Sequence, residues 1–189
     1  MYKRQAYERG LLETSVVSDD RPNNTYPNNV YNSSKGNLTL RNALAISSNV
    51  VAYKLADENR NELKEAVYQP LAQMQFTGLD VADDNPIIAV GGMTYGATTQ
   101  EMASGIATLV NQGNYRAPLN IQTIKRKDNG QEIFSQNDIA QQKIYSDDAA
   151  YLTIDTMKAV HENADGTAAG LTLAHNLSLI HISEPTRPL

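Results

Sequence analysis

The Ser47-Ser48-Asn49 triplet constrains this chain more than any other feature, because it interrupts two apolar helical faces that each need burial. Before it, Leu40, Ala43 and Leu44 recur at helical spacing; after it, Val50, Val51, Ala52 and Leu55 do the same. Serine and asparagine compete with the helix backbone for hydrogen bonds and favour caps, so the segment reads as a helix, a short exposed turn and a second helix. A Ser and an Asn two apart at such a junction can aim a hydroxyl and an amide into a cleft. Taken alone, Ser-x-Asn is a common triplet that a plain capping turn also explains.

The rest of the chain sorts by periodicity and turn chemistry. Residues 18 to 35 are rich in Asp, Asn, Pro and Ser and read as a loop with little regular structure that leads into the first helix. Residues 61 to 67 form a charged amphipathic helix that Pro70 should end or restart. The Asp83-Asp84-Asn85-Pro86 cluster then gives a loop, with Ile87 to Val90 expected to be buried beneath it. Thr98 followed by Glu101 is a capping box, and Met102, Ile106, Leu109 and Val110 supply the expected apolar face of the helix it starts, which Gly113 should stop. Between Leu119 and Phe134 the residues turn β-rich around Asp128-Asn129-Gly130, a hairpin signal that pairs residues near Ile124 and Ile133. Ser146 or Asp147 can cap a further helix, with Ala150, Ile154, Met157 and Val160 facing inward until Asn163 to Gly166 end it.

Composition excludes several functions. A formal charge of −5 without a basic stripe gives nucleic-acid binding no support, and Lys125-Arg126-Lys127 reads as a solvated turn at a hairpin tip. No cysteine is present, which removes disulfides and thiolate metal sites. His161 and His175 have no ligand-spaced partner, so packing or surface roles are expected, and the sequence calls for no cofactor and no metal. Gly91, Gly92 and Gly96 lack the lysine and spacing of a phosphate-binding loop. Tyr31, Tyr95 and Tyr115 can line a groove, but structural packing is the expectation.

Several segments in one fixed order carry a family resemblance. Asn37 to Leu55, with its helix, Ser-x-Asn turn and helix, and Gly91-Gly92-Met93-Thr94-Tyr95-Gly96-Ala97-Thr98-Thr99-Gln100-Glu101-Met102-Ala103 come first. Ala107 to Pro118, the Asp128-Asn129-Gly130 turn, Ala150-Tyr151-Leu152-Thr153 and Asp165-Gly166-Thr167 follow. Together they resemble the transpeptidase domain of class A penicillin-binding proteins over roughly residues 6 to 176, although Thr99 stands where that family usually has Pro. The resemblance implies an α+β fold: the mainly helical portion of the serine transpeptidase/β-lactamase-like fold, with a peripheral antiparallel hairpin. Of the family's three motifs, Ser-x-x-Lys, Ser-x-Asn and Lys-Thr-Gly, only the middle one occurs in this chain. Residues 1–5 and 178–189 resemble translated sequencing-adapter read-through and are set aside, which leaves 6–177 as the expected transpeptidase fragment.

The function implied by the resemblance is peptidoglycan D,D-transpeptidation: stem peptides are cross-linked through a serine acyl-enzyme, and β-lactams trap the same serine. Ser47 is then expected to relay a proton and Asn49 to donate its amide to the acyl group's backbone, with Ser48 as the variable middle position whose side chain should matter least. The fragment, lacking the nucleophile, should be inactive. The expected partners are peptidoglycan stem peptides and β-lactams. The expected location is the extracytoplasmic face of the bacterial cell membrane, with an anchor only on the N-terminal side of this segment. A β-lactamase or β-lactam sensor of the same fold, or a degenerate non-enzymatic wall-binding member, is the alternative.

Overall fold

In the computed structural model, residues 7, 10–21, 23, 26–31 and 33–171 are described. The segments at 1–5 and 178–189, His175 and His181 lie outside them.

The chain enters the helical body through a short ribbon. Strand β1 (Val16–Ser18) pairs antiparallel with β2 (Asn37–Thr39), with Val17 opposite Leu38. Strand β2 runs directly into helix α1 (Leu40–Ala45), because the Thr39 hydroxyl accepts from the Asn42 N–H and caps its first turn. Helix α2 (Asn49–Glu58) follows. The expected pair of helices around Ser47-Ser48-Asn49 is therefore present.

Beyond α2, helix α3 (Arg60–Leu63) passes through a π-helical turn (Lys64–Tyr68) into α4 (Gln69–Gln73). Pro70 explains the break: it has no N–H to donate and crowds the preceding turn, and the wider spiral, in which Gln69 N–H donates to Lys64 O, accommodates it. Proline restarts the helix, as the sequence suggested. Helix α5 (Thr99–Val110) opens on the expected capping box, with Thr98 accepting from the Glu101 N–H and Glu101 accepting from the Thr98 N–H. At its other end Gly113 has φ +80°, and a Cβ there would lie 2.2 Å from Tyr145 O, so no other residue fits this stop without displacing backbone.

Strand β3 (Asn114–Tyr115) later pairs with β6 (Gln142–Lys143), while β4 (Thr123–Lys125) and β5 (Glu132–Ser135) form the expected hairpin with Ile124 opposite Phe134. Its loop is longer than a two-residue turn. Arg126 N–H donates to Gln131 O and Gly130, at φ +70°, donates back to Arg126 O. Helix α6 (Asp147–Glu162), capped by Ser146, completes the body. Among the described residues the strands form three separate two-stranded ribbons around a helical core that includes Leu40, Val51, Leu55, Leu71, Met74, Leu109 and Tyr145.

Three expectations about burial are corrected. On α5 the buried positions are Ser104, Gly105, Thr108 and Leu109, whereas Met102 and Ile106 are 51% and 41% exposed. On α6 they are Ala149, Ala150, Thr153, Thr156 and Ala159: Ala150 is buried as expected and Ile154 packs half-buried against the core, while small side chains rather than Met157 and Val160 complete the inward face. Small side chains let helix axes approach closely. Their hydroxyls satisfy themselves on the preceding turn: Thr108 donates to Ser104 O, Thr153 to Ala149 O and Thr156 to Leu152 O. Ile87 is also exposed, because the 3-10 turn Pro86–Val90 brings Pro86 and Ile88 inward and leaves Ile87 outside.

The α1–α6 contact carries the charged network of the body. Arg41 on α1 donates to Glu13 (2.9 Å), Asp155 (3.0 Å) and Glu162 (3.0 Å), linking the segment before β1 to two turns of α6. Tyr7, buried, meets the Thr156 hydroxyl on the same helix.

The capping box generates a pH prediction. Glu101 also accepts from Thr77 N–H at 2.6 Å, and this bond first, then that from Thr98, holds its carboxyl down to about 2 from an ordinary 4.5. A carboxyl depressed in the folded state stabilises fully above its unfolded value and loses that contribution as pH falls from 4.5 towards 2. Denaturant melts of wild type and E101Q should therefore differ at pH 6 and converge through that window. A difference independent of pH would overturn the assignment.

Candidate functional site

Helix α1 ends in a Schellman motif, which sets the geometry of the triplet. Ser47 N–H donates to Leu44 O at 3.0 Å and Ser48 N–H donates to Ala43 O at 2.9 Å, the two bonds that close this type of helix end. The motif requires a left-handed residue at its centre, and Ser47 takes it with φ +57°. A residue in this conformation reverses the chain in one step, so α2 can begin immediately. Ser48 serves both helices: its N–H completes the end of α1, and its hydroxyl accepts from the Val51 N–H at 3.1 Å as the N-cap of α2.

The three side chains part accordingly. Ser47 is exposed, Ser48 is 3% exposed, and Asn49 is half-buried. The Ser47 hydroxyl thus stands at the surface of a rigid junction. Asn49 donates one amide N–H to Asn28 O at 3.0 Å, which fixes the plane of the amide; the group carries a second N–H. The structure brings Ser47 and Asn49 to one turn, as read from their spacing, and gives Ser48, the middle position, the most buried side chain of the three.

The loop between β1 and β2 wraps this turn. Asp19, 1% exposed, accepts from Ser48 Oγ, Asn29 Nδ2 (3.0 Å), Tyr31 OH (3.1 Å) and Lys35 N–H (3.0 Å). Asn29 in turn accepts from the Val50 N–H at 3.1 Å. Burial, followed by the adjacent Asp19 charge, pushes the Tyr31 phenol up. Tyr26 packs edge-on against Tyr53 of α2 and donates to Asp57. Asp19, Asn28 and Asn29 were missed by sequence reasoning; the available signal was the density of Asp and Asn in a segment joined directly to the helix before the turn.

A second segment from the sequence reading also reaches the turn. Thr167 N–H donates to Ala45 O at 3.0 Å, which places Asp165-Gly166-Thr167 against the last carbonyls of α1. A Cβ on Gly166 would lie 2.3 Å from Val160 O, so the close packing of this segment on the end of α6 depends on glycine. Tyr115 is buried, Tyr95 is 76% exposed, and His161 meets Leu171 O through Nε2 at 2.7 Å. No group of three or more potential metal ligands occurs among the described residues.

Backbone geometry at Ser47 makes a stability prediction. The left-handed conformation costs an L-residue about 1–2 kcal/mol, against about 0.5–1 kcal/mol of extra chain entropy lost by glycine. S47G should therefore raise unfolding stability by about 0.5–1 kcal/mol relative to S47A, measured by chemical denaturation. A lower stability for S47G would contradict the conformation described.

Comparison with known proteins gives a consistent result. Residues 5–179 match the family model for the penicillin binding protein transpeptidase domain. A penicillin-binding protein 1A of Clostridium perfringens is 30% identical over 164 residues, covering 82% of this chain, which spans only 22% of that relative's length. The D,D-transpeptidase domain of a peptidoglycan glycosyltransferase from Eggerthella lenta shares the fold at a TM-score of 0.72 and 20% identity, over 93% of this chain and 49% of that one. Penicillin-binding protein 1A from Haemophilus influenzae aligns at a TM-score of 0.68 and 20% identity, over 89% of this chain and 30% of its own.

Proposed function

Since this chain belongs to the penicillin-binding protein transpeptidase domain family, we propose that it is part of a peptidoglycan D,D-transpeptidase in which Ser47 and Asn49 are site residues. The supporting observation is the Ser47 junction, which holds an exposed hydroxyl and an adjacent amide on one rigid turn. Neither group is a nucleophile by itself in this reading. A serine and lysine from a Ser-x-x-Lys motif, which does not occur in these 189 residues, would supply it.

The reaction follows from these roles. The nucleophilic serine oxygen bonds to the penultimate D-Ala carbonyl carbon of a stem peptide while its proton passes toward the lysine. The amide bond to the terminal D-Ala breaks, and the Ser47 hydroxyl relays a proton to the departing amine. The second N–H of Asn49 donates to the backbone of the acyl group and fixes its orientation. An amine of a neighbouring stem peptide then attacks the ester, forms the cross-link amide and returns the proton to the serine. A β-lactam enters the same sequence and stops at the acyl-enzyme.

This reading places the site at the extracytoplasmic face of the bacterial cell membrane, with stem peptides and β-lactams as partners. No helix among the described residues is long and apolar enough to cross a membrane.

A labelled penicillin tests the proposal. The 189-residue chain should not acylate, whereas the same segment completed with its native flanking sequence should. In the completed protein S47A should slow acylation by about 100-fold or more, and N49A should weaken substrate positioning. Normal acylation with both residues replaced would reduce the turn to a cap. Rapid turnover of the β-lactam would instead mark a β-lactamase, and a completed protein that binds wall material without acylating would mark a non-enzymatic member.

A further inference from the structure

We infer that Asp19 is a positioning residue for the Ser-Ser-Asn turn, acting through Ser48 and Asn29; the catalytic part of this inference rests on the transpeptidase reading above. Asp19 follows β1, and its own N–H donates to Gly36 O at 2.8 Å, so the β1–β2 ribbon fixes its backbone. Strand β2 leads without interruption into α1, whose end is the turn. The Asp19 side chain then closes a ring: strand, helix, turn and back to strand through Ser48 Oγ.

The bonds are directional and leave little slack. One carboxylate oxygen takes Ser48, Asn29 and Tyr31, and the other takes Lys35 N–H and the same Tyr31 hydroxyl. Ser48 and Asn29 pass the constraint to the first N–H groups of α2, at Val51 and Val50. Rotation of Ser48 would carry Ser47, one residue before it, out of register with Asn49, one residue after it. The middle position of the triplet is therefore not interchangeable in this chain, because it is the point at which the carboxylate grips the turn. Asparagine at position 19 would keep the shape but present an N–H₂ to groups that are themselves donors.

Two measurements separate this role from a general loss of stability and from failure of the enzyme reading. In the 189-residue chain, D19N should speed amide exchange at Val50 and Val51 by about 10-fold or more while leaving Leu109 on α5 unchanged. In the completed protein, with labelled penicillin as probe, D19N should slow acylation by about 10- to 100-fold, and in an S47A background by less than about 3-fold. S48A, which removes the Asp19 bond together with the cap on Val51, should show the same pattern if D19N fails to fold, most strongly at Val51, and S48T should recover most of the loss. Unchanged exchange at Val50 and Val51 overturns the inference whatever the activity, as do losses in D19N and S47A that multiply. A completed wild type that never acylates, with exchange altered as expected, overturns the transpeptidase reading and leaves Asp19 as the anchor of the turn.

Discussion

The left-handed backbone at Ser47 is the constraint on which the arrangement depends. Two helices joined without a spacer leave carbonyls at the end of one and N–H groups at the start of the next, and buried groups of either kind need partners. A single residue at φ +57° settles both ends, since it brings Ser47 and Ser48 N–H groups onto α1 and frees the Ser48 hydroxyl for α2. The same device closes α4 at Gln75 without glycine, and at the end of α5 Gln112 and Gly113 both take positive φ. At Gln75 and Gln112 the side chains have no assigned role, whereas at Ser47 the conformation presents a hydroxyl at the surface.

The rigidity of that junction is inherited from the packing beneath it. Helix α1 is only six residues long, too short to hold itself together by backbone bonds. It is fixed by complete burial of Leu40, Ala43 and Ala45, by Arg41 reaching three carboxylates, and by Thr167 N–H on its last turn. Helix α6 lies against it through alanine and threonine. Close approach of two backbones leaves a short helix no room to tilt, and larger side chains on the buried face of α6 would force it away from the body.

What the sequence made legible and what it concealed divide along a physical line. Local chemistry was readable: the Thr98–Glu101 box, the Ser146 cap, the stop at Gly113 and the Ile124–Phe134 hairpin all depend on residues near one another in the chain. The placement of Ser47 and Asn49 on one turn was legible because it follows from their spacing. The buried faces of α5 and α6 were misread because periodicity weighs large apolar residues, and these faces are made of serine, glycine, threonine and alanine whose hydroxyls bond within their own helix. Asp19 was invisible for a different reason. Its partners lie at positions 29, 31, 35 and 48, a long-range convergence with no period and no motif.

That convergence also explains why a carboxylate is useful at position 19. A well-packed apolar side chain there would avoid the desolvation of a buried charge, and such replacements are often neutral or stabilising. It would not, however, set the direction in which Ser48 faces, because apolar contact is nearly indifferent to rotation. Four donors around one carboxylate define both where the turn sits and how it is rotated. On the proposed transpeptidase reading, a hydroxyl that passes a proton must be held to within a fraction of an ångström, since misplacement of about 1 Å can cost about 100-fold in rate. Directional bonds beneath the turn meet that demand, while the loop that supplies them is held to α2 by Tyr26 on Tyr53 and Asp57.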